Sequence, residues 1–433
     1  MDDVFAAGAL MPLSAMQEEK LRKDDMLSLL TDLEQPFALV LADMEQTGFM
    51  TDREALMRLD EKFTSRIGEL LDAVRAITGP SFNANSPKQL DVLLFETLGL
   101  PGGKKTKTGW STSADILEEL AEKHPECEII PLILEYRKYT KLKSTYIDAL
   151  LRLRDGEGRI HTSFDQVATA TGRISSLEPN LQNIPVRTAM GREIRSAFVA
   201  QEGWTLVDAD YSQIELRVLA HMSGDEVMCD AFRRGQDIHA RTAAEVYGVP
   251  IEEVTGEMRS AAKAVNFGIV YGISDFGLAR NIGVSRQEAA AFIERYLGRY
   301  PYVKRFMDAC VTQGNTEGFV STLMGRRRYL PELSDRSYNI RQFGERAAMN
   351  SPIQGTAADI IKLAMVRVDE ALKSMGLRAR LILQVHDELI VEAPEDEVEA
   401  VRRILKETME GVMELDVPLT AEVSTGRSWF DCK

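Results

Sequence analysis

The chain has 433 residues, too many for one ordinary core and enough for two to four subdomains. Hydrophobic residues make up 44% and charged residues 27%, the balance of a soluble globular protein, and the net charge of −15 excludes a uniformly basic nucleic-acid binder. Four scattered cysteines without a Cys-x-x-Cys fit a reducing compartment and give no zinc site, and no signal peptide or span-length apolar run is present.

Met16 to Leu33 reads as a charged helix, either the tail of an upstream domain or an N-terminal helix. Pro36 breaks the pattern, and Phe37 to Met44 begins a new apolar helix. From 45 to 150 the chain reads as mainly helical. Asp52 to Ile77 is one long helix closed by Gly79-Pro80, and Ser86-Pro87 starts another with Ser at the N-cap and Pro at N1. Between Leu100 and Trp110, Lys104, Lys105 and Lys107 occur with no acid. Two readings fit: a solvated hairpin tip, or a basic tip that tracks a nucleic-acid backbone. A phosphate-cradling P-loop does not fit, because Lys105 follows Gly103-Lys104 where Ser or Thr is needed. Residues 168–187 lack periodicity and are rich in turn formers. Arg173, Gln182, Asn183 and Arg187 there either read sugar edges and phosphates or belong to an ordinary surface loop.

Trp204 to Val207 reads as a short buried strand, followed at period two by Asp208 and Asp210. From Ser212 the spacing becomes that of an amphipathic helix. A strand that delivers a carboxylate just before a helix suits a divalent cation, since Mg²⁺ takes hard oxygens from one or two carboxylates and from substrate phosphates.

Residues 225–345 read as helical, with Thr255 a helix N-cap and Gly272 a stop. Between them Arg259, Lys263, Phe267 and Tyr271 recur at steps of four and form one stripe, cationic at its start and aromatic at its end. That polarity suits a nucleoside triphosphate, while an exposed basic face grading into core aromatics is the plainer account. Arg326-Arg327-Arg328 is a further basic patch. Ser351-Pro352-Ile353-Gln354 is expected to open a helix running to about Leu372. Arg380 to Val385 and Leu389 to Glu392 read as two strands joined by His386-Asp387-Glu388, with two adjacent carboxylates at the tip. Glu395 to Met413 reads as a last helix and Val417 to Val423 as a last strand. Asp210 and Asp387 thus each sit at or near a strand end, and on neighbouring strands they could bridge two metal ions for in-line phosphoryl displacement.

Taken together these segments resemble the family A DNA polymerases, the bacterial DNA polymerase I type. Asp210-Tyr211-Ser212-Gln213-Ile214-Glu215-Leu216-Arg217 is similar to motif A, the Arg259 to Tyr271-Gly272 stripe to motif B, and Gln384-Val385-His386-Asp387-Glu388 to motif C. Thr171 to Ser176, Pro179 to Pro185 and Gln354 to Asp359 match as well, so the resemblance runs in order from about Pro36 to the C-terminus. It implies an α+β, right-hand polymerase with an antiparallel-sheet palm and mainly helical thumb and fingers. Residues 1–35 would be an N-terminal helix and possible remnant of an exonuclease domain, 36–155 the thumb and its base, 156–224 and 346–433 the two parts of the palm, and 225–345 the fingers.

The resemblance also implies roles. Asp210 and Asp387 would bind two Mg²⁺, with the Tyr211 carbonyl as a further ligand and Glu388 nearby. Arg259, Lys263 and His239 would hold the triphosphate, and Lys263 would protonate the leaving pyrophosphate. Phe267 and Tyr271 would pack on the nucleotide, with Gln213 also at its site and Glu215 against C2′ of the sugar. Arg173, Asn350 and Gln354 would touch the primer–template minor groove, His386 the primer end, and Asn183, Arg187, Lys104, Lys105 and Lys107 the DNA. The partners implied are primer–template DNA and dNTPs, with no membrane, for a monomer of the bacterial cytoplasm or nucleoid acting in DNA replication and repair. No proofreading exonuclease site is expected in this chain. Two other classes share parts of this pattern: a single-subunit RNA polymerase or reverse transcriptase, which Glu215 argues against, and a catalytically silent DNA-binding module, which the retained Asp210 and Asp387 argue against.

Overall fold

The computed structural model describes residues 2–107, 109–186, 188–270 and 272–432. Its centre is a four-stranded antiparallel sheet in the order Arg380–Val385, Glu388–Pro394, Trp204–Tyr211, Ala421–Gly426. Alternate residues face opposite sides. Val207, Ala209, Tyr211, Leu389, Val391 and Ala393 enter the largest hydrophobic cluster, against the helices Tyr338–Ser374 and Val398–Gly411. Leu206, Leu383, Val385 and Ile390 face the other way, onto Phe49, Phe198 and Trp429. A register shift between Leu381 and Leu383 places these two leucines in different clusters despite their even spacing.

Trp204–Tyr211 runs past the expected end at Val207 because it is paired along both edges, so Asp208 and Asp210 lie within the ladder. The last strand is Ala421–Gly426, displaced from the expected Val417 to Val423; Val417 and Leu419 are buried in the approach to it. The helix expected to open at Ser351 instead runs unbroken from Tyr338 to Ser374 with Pro352 inside it. A proline in a helix interior costs about 3 kcal/mol. Burial of Ile353, Ile360 and Met365 from this same helix, at roughly 1.5–3 kcal/mol per side chain, more than offsets that cost.

Residues 2–34 contain the helix Asp2–Lys23 and a π-helical turn Leu29–Glu34, divided near Asp25, so the single helix expected from Met16 to Leu33 is two pieces. Pro36 does not break the pattern as expected: residues 27–47 run on helically through Leu29–Glu34 into Gln35–Thr47, and the wider π-helical turn before Pro36 is where the chain accommodates the missing N–H. Arg53–Thr78 begins where Asp52 accepts from the Ala55 N–H at 3.1 Å, and Ser86 caps its helix in the same way. With Ile129–Leu142 these helices build a separate core of Leu70, Val74, Leu90, Leu117 and Ile133. The helices Ile214–Ser223, Ile238–Tyr247, Gly256–Val270 and Arg286–Arg299 pack onto the largest cluster beside the sheet. Among the described residues no helix is long and apolar enough to cross a membrane.

Candidate active site

Pairing of the two central strands sets Asp210 directly opposite Glu388. Asp387 lies in the two-residue turn between Val385 and Glu388, and its carbonyl accepts from the Tyr211 N–H at 3.0 Å, which pins the turn beside the end of the neighbouring strand. Asp210 and Asp387 are both half-buried. Burial, then the neighbouring Glu215 and Asp210 carboxylates, push the Asp387 carboxyl up to about 7, with Arg173 opposing the shift. A poorly solvated carboxyl with like charge around it is a group that a cation would stabilise.

Glu388 does not join Asp387 at the tip, as the sequence reading expected. It is the first residue of its strand, is 6% exposed, and accepts from the Trp429 indole N–H at 2.7 Å. Asp208 shares the face of Asp210 but is buried at 1% exposure. Among the described residues four non-glycines have positive φ, and two of them flank the carboxylates: Gln213 at +55° and His386 at +54°. Backbone held in this region costs of order 1–3 kcal/mol each and clusters at functional sites.

Glu215 opens the helix Ile214–Ser223, is 4% exposed, and accepts from the Arg173 guanidinium. Arg173 is therefore committed to Glu215 and placed among the carboxylates. Gln182 donates to the Gln384 side chain at 3.0 Å and its carbonyl at 3.2 Å, and the Gln384 amide donates to the His386 carbonyl. Gln182 thus braces the carboxylate turn, a part the sequence reading did not give it. Asn183 is exposed at the end of the short 3-10 helix Leu181–Asn183.

The helix Gly256–Val270 starts where Thr255 accepts from the Met258 N–H at 3.2 Å. Gly272 ends it at φ +63°, where a Cβ would stand 2.9 Å from the Arg346 side chain. Arg259 and Lys263 are exposed and Phe267 half-buried, so the stripe faces outward at its cationic end. Arg259 donates to Asp237 at 2.7 Å, and Asp237 also caps Ile238–Tyr247 through the His239 and Ala240 N–H groups. His239 is 2% exposed, with its ring 5.6 Å from that of Phe267. Burial pushes its imidazole down to about 4, so it is neutral at pH 7 and available to a phosphate only as an N–H donor. Its Nδ1 pairs with the Asn266 amide at 3.0 Å, which is anchored in turn by Thr242. Asn266 is buried one residue before Phe267, and no spacing rule marked it out.

Lys263, Phe267 and Arg346 border an open cleft of about 1340 Å³. Arg346, Asn350 and Gln354 follow at steps of four on the long helix, Arg346 exposed and the other two half-buried. The same step found the Arg259 stripe, and it would have found Arg346 too. Lys104, Lys105 and Lys107 are exposed on a small hairpin away from this group, with the Lys105 ammonium 5.6 Å over the Trp110 ring. Tyr271 and Arg187 lie outside the described residues.

An antiparallel sheet bearing paired carboxylates, set between a helical lobe and a helix with a cationic-to-aromatic stripe, is the right-hand polymerase fold with palm, thumb and fingers. The chain belongs to DNA polymerase family A, whose profile matches residues 53–431. It is 52% identical over 427 residues to DNA polymerase I of Bacillus subtilis, covering 98% of this chain and 48% of that protein. It is 51% identical over 432 residues to DNA polymerase I of Geobacillus stearothermophilus, covering 99% and 49%. The chain thus spans about half the length of these curated relatives. A solved structure described as the POL domain of Pol1 from M. smegmatis in complex with DNA primer-template and dNTP superposes with a TM-score of 0.95 at 45% identity, over 99% of this chain and 76% of that one.

Proposed function

We propose that this chain is a DNA-directed DNA polymerase that adds dNTPs to a primer 3′ end and releases pyrophosphate. The observation that carries the reading is the pinning of Asp387 beside the strand end that bears Asp210 and Tyr211, within a family A chain. The donor set fits a divalent cation: carboxylate oxygens are hard ligands, and the burial and like charge that raise Asp387 are both offset by a bound cation. Asp210, Asp387 and the Tyr211 carbonyl would hold two Mg²⁺, which when bound activate the primer hydroxyl and neutralise charge on the departing phosphates.

This chain's own groups supply the rest. Arg259 and Lys263 hold the triphosphate with His239 as a neutral donor, and Lys263 Nζ gives a proton to the leaving pyrophosphate. Phe267 and Tyr271 pack on the nucleotide, with Gln213 beside it. Glu215 fills the space below C2′ and excludes a ribose hydroxyl. Arg173, Asn350, Gln354 and His386 meet the primer–template near the new pair, and Asn183, Arg187 and the lysines 104, 105 and 107 meet its backbone. Residues 36–155 act as thumb, 156–224 and 346–433 as palm, and 225–345 as fingers. The chain works as a monomer in the bacterial cytoplasm or nucleoid, and these 433 residues contain no proofreading site.

The test is primer extension on four templates that differ only in the next base, each offered the four dNTPs singly with Mg²⁺. Incorporation that follows the template supports the reading, and base-independent addition or none contradicts it. A mismatched 3′ end should persist when dNTPs are withheld, and its removal would contradict the absence of proofreading.

A further inference from the structure

A buried network outside the catalytic residues connects the first helices to the active-site loop. Arg326 donates through Nε to Asp359 at 2.7 Å and through its terminal nitrogen to Glu34. Lys362 donates to the same Glu34 oxygen at 2.8 Å, and Thr322 to Asp359 at 2.7 Å. Asp359 is 0% and Lys362 1% exposed. Two acids and two bases balance one another there, and buried charges so paired resist displacement. Glu34 also accepts from the Gln166 amide, at the start of the loop that leads to Arg173.

The Arg326 guanidinium lies on the backbone of Gly172, which has φ +82°. A Cβ there would stand 2.6 Å from Arg326 Nε and 2.9 Å from its Cζ. Gly355 of the long helix comes so close to the same turn that a Cβ would be 3.1 Å from the Thr171 carbonyl. The turn is thus held against both a helix and a flat cation. The next residue is Arg173, which holds Glu215.

We propose that Arg326, fixed by Glu34 and Asp359, is a positioning residue: it seats the Thr171-Gly172-Arg173 turn so that Arg173 holds Glu215 in the pose that excludes a ribose hydroxyl. This rests on the role given to Glu215 above. The partners of Arg326 are Glu34, Asp359 and Thr322, none of them among the residues assigned to the reaction. Its planar guanidinium is what fits both the carboxylates and the peptide of Gly172, and a lysine ammonium in its place is a point charge without that plane.

The experiment measures kcat/KM for one dNTP and its rNTP, per active site, in the parent, Arg326→Lys, Glu34→Gln, Arg173→Ala and Arg326→Lys/Arg173→Ala. The expected result is a rise in the rNTP-to-dNTP ratio of roughly five-fold in Arg326→Lys, absent once Arg173 is gone, and a smaller rise in Glu34→Gln. A purely structural role lowers the yield of active enzyme and leaves the ratio at the parent's value, which would overturn the proposal. An additive effect of Arg326→Lys in the Arg173→Ala background would overturn it as well. If Arg326→Lys does not fold, Glu34→Gln decides: it keeps the Arg326–Asp359 pair, and an unchanged ratio there rejects the link. A parent that extends no primer fails the polymerase reading itself, a different result from a parent that works with an unmoved ratio.

Discussion

At the scale of single residues, Glu215 is buried against Arg173, and its burial makes sense as a wall against the sugar. Glu215→Ala is expected to raise the rNTP-to-dNTP ratio of kcat/KM by roughly 10²-fold, equivalent to about 3 kcal/mol of lost discrimination. Equal loss on both nucleotides would show instead that Glu215 only supports its helix. His239 gives a stability test. Its folded value of about 4 lies below the ordinary 6.5, so the unfolded chain binds the proton first and stability falls as pH drops from about 6.5 toward 4. Against His239→Gln, the parent should lose on the order of 3 kcal/mol of unfolding free energy between pH 7 and pH 4, read by urea melts. A pH-independent difference between the two would contradict a buried neutral imidazole.

Placement was legible where a motif carried it, as for the Asp387 turn beside the strand end that bears Asp210, and illegible where the partner is distant in the chain. Nothing near Glu388 shows that it faces Trp429, and nothing near Gln182 shows that it braces Gln384. Such pairings depend on which strands become neighbours, a tertiary outcome that periodicity does not encode.

At the scale of elements, the helix Gly256–Val270 carries the central functional expectation. Lys263 is exposed at its cationic end and no described carboxylate pairs with it in an ion pair, whereas Arg259 is tied to Asp237. Lys263→Ala should therefore lower kcat/KM for dNTP by about 10²-fold or more while duplex affinity changes little. Collapse of DNA affinity with intact dNTP kinetics would move Lys263 from the triphosphate to the duplex. Elements with local signals were the readable ones. Caps at Asp52, Ser86 and Thr255 began helices where expected, because a side-chain oxygen taking an orphan N–H is a contact within three residues. Pro352 misled because its cost is local while the packing that overrides it comes from the whole length of the 37-residue helix. The strand carrying Asp210 was read short because pairing on both edges extends it through polar residues.

At the scale of the whole molecule, net charge and local charge point in opposite directions. The chain carries −15, yet Lys104, Lys105, Lys107, Arg346 and Lys263 stand exposed on the surfaces assigned to DNA and nucleotide. Affinity for primer–template should fall steeply with salt, with a log–log slope of roughly −0.9 for each phosphate neutralised. A flat plot would contradict phosphate contacts by these residues. The charge total alone argues against a nucleic-acid partner, and the salt dependence tests whether these exposed lysines and Arg346 overcome it.

The central claim is that Asp210 and Asp387 act together on one reacting centre. Its most direct test is single-turnover incorporation of one correct dNTP by the parent, Asp210→Asn and Asp387→Asn, with primer–template affinity measured in parallel. Each substitution keeps the size of the side chain and removes the charge. The expected result is a loss of about 10³-fold or more in rate for either variant with DNA affinity within a few-fold of the parent's. A rate near the parent's in either variant would contradict the account.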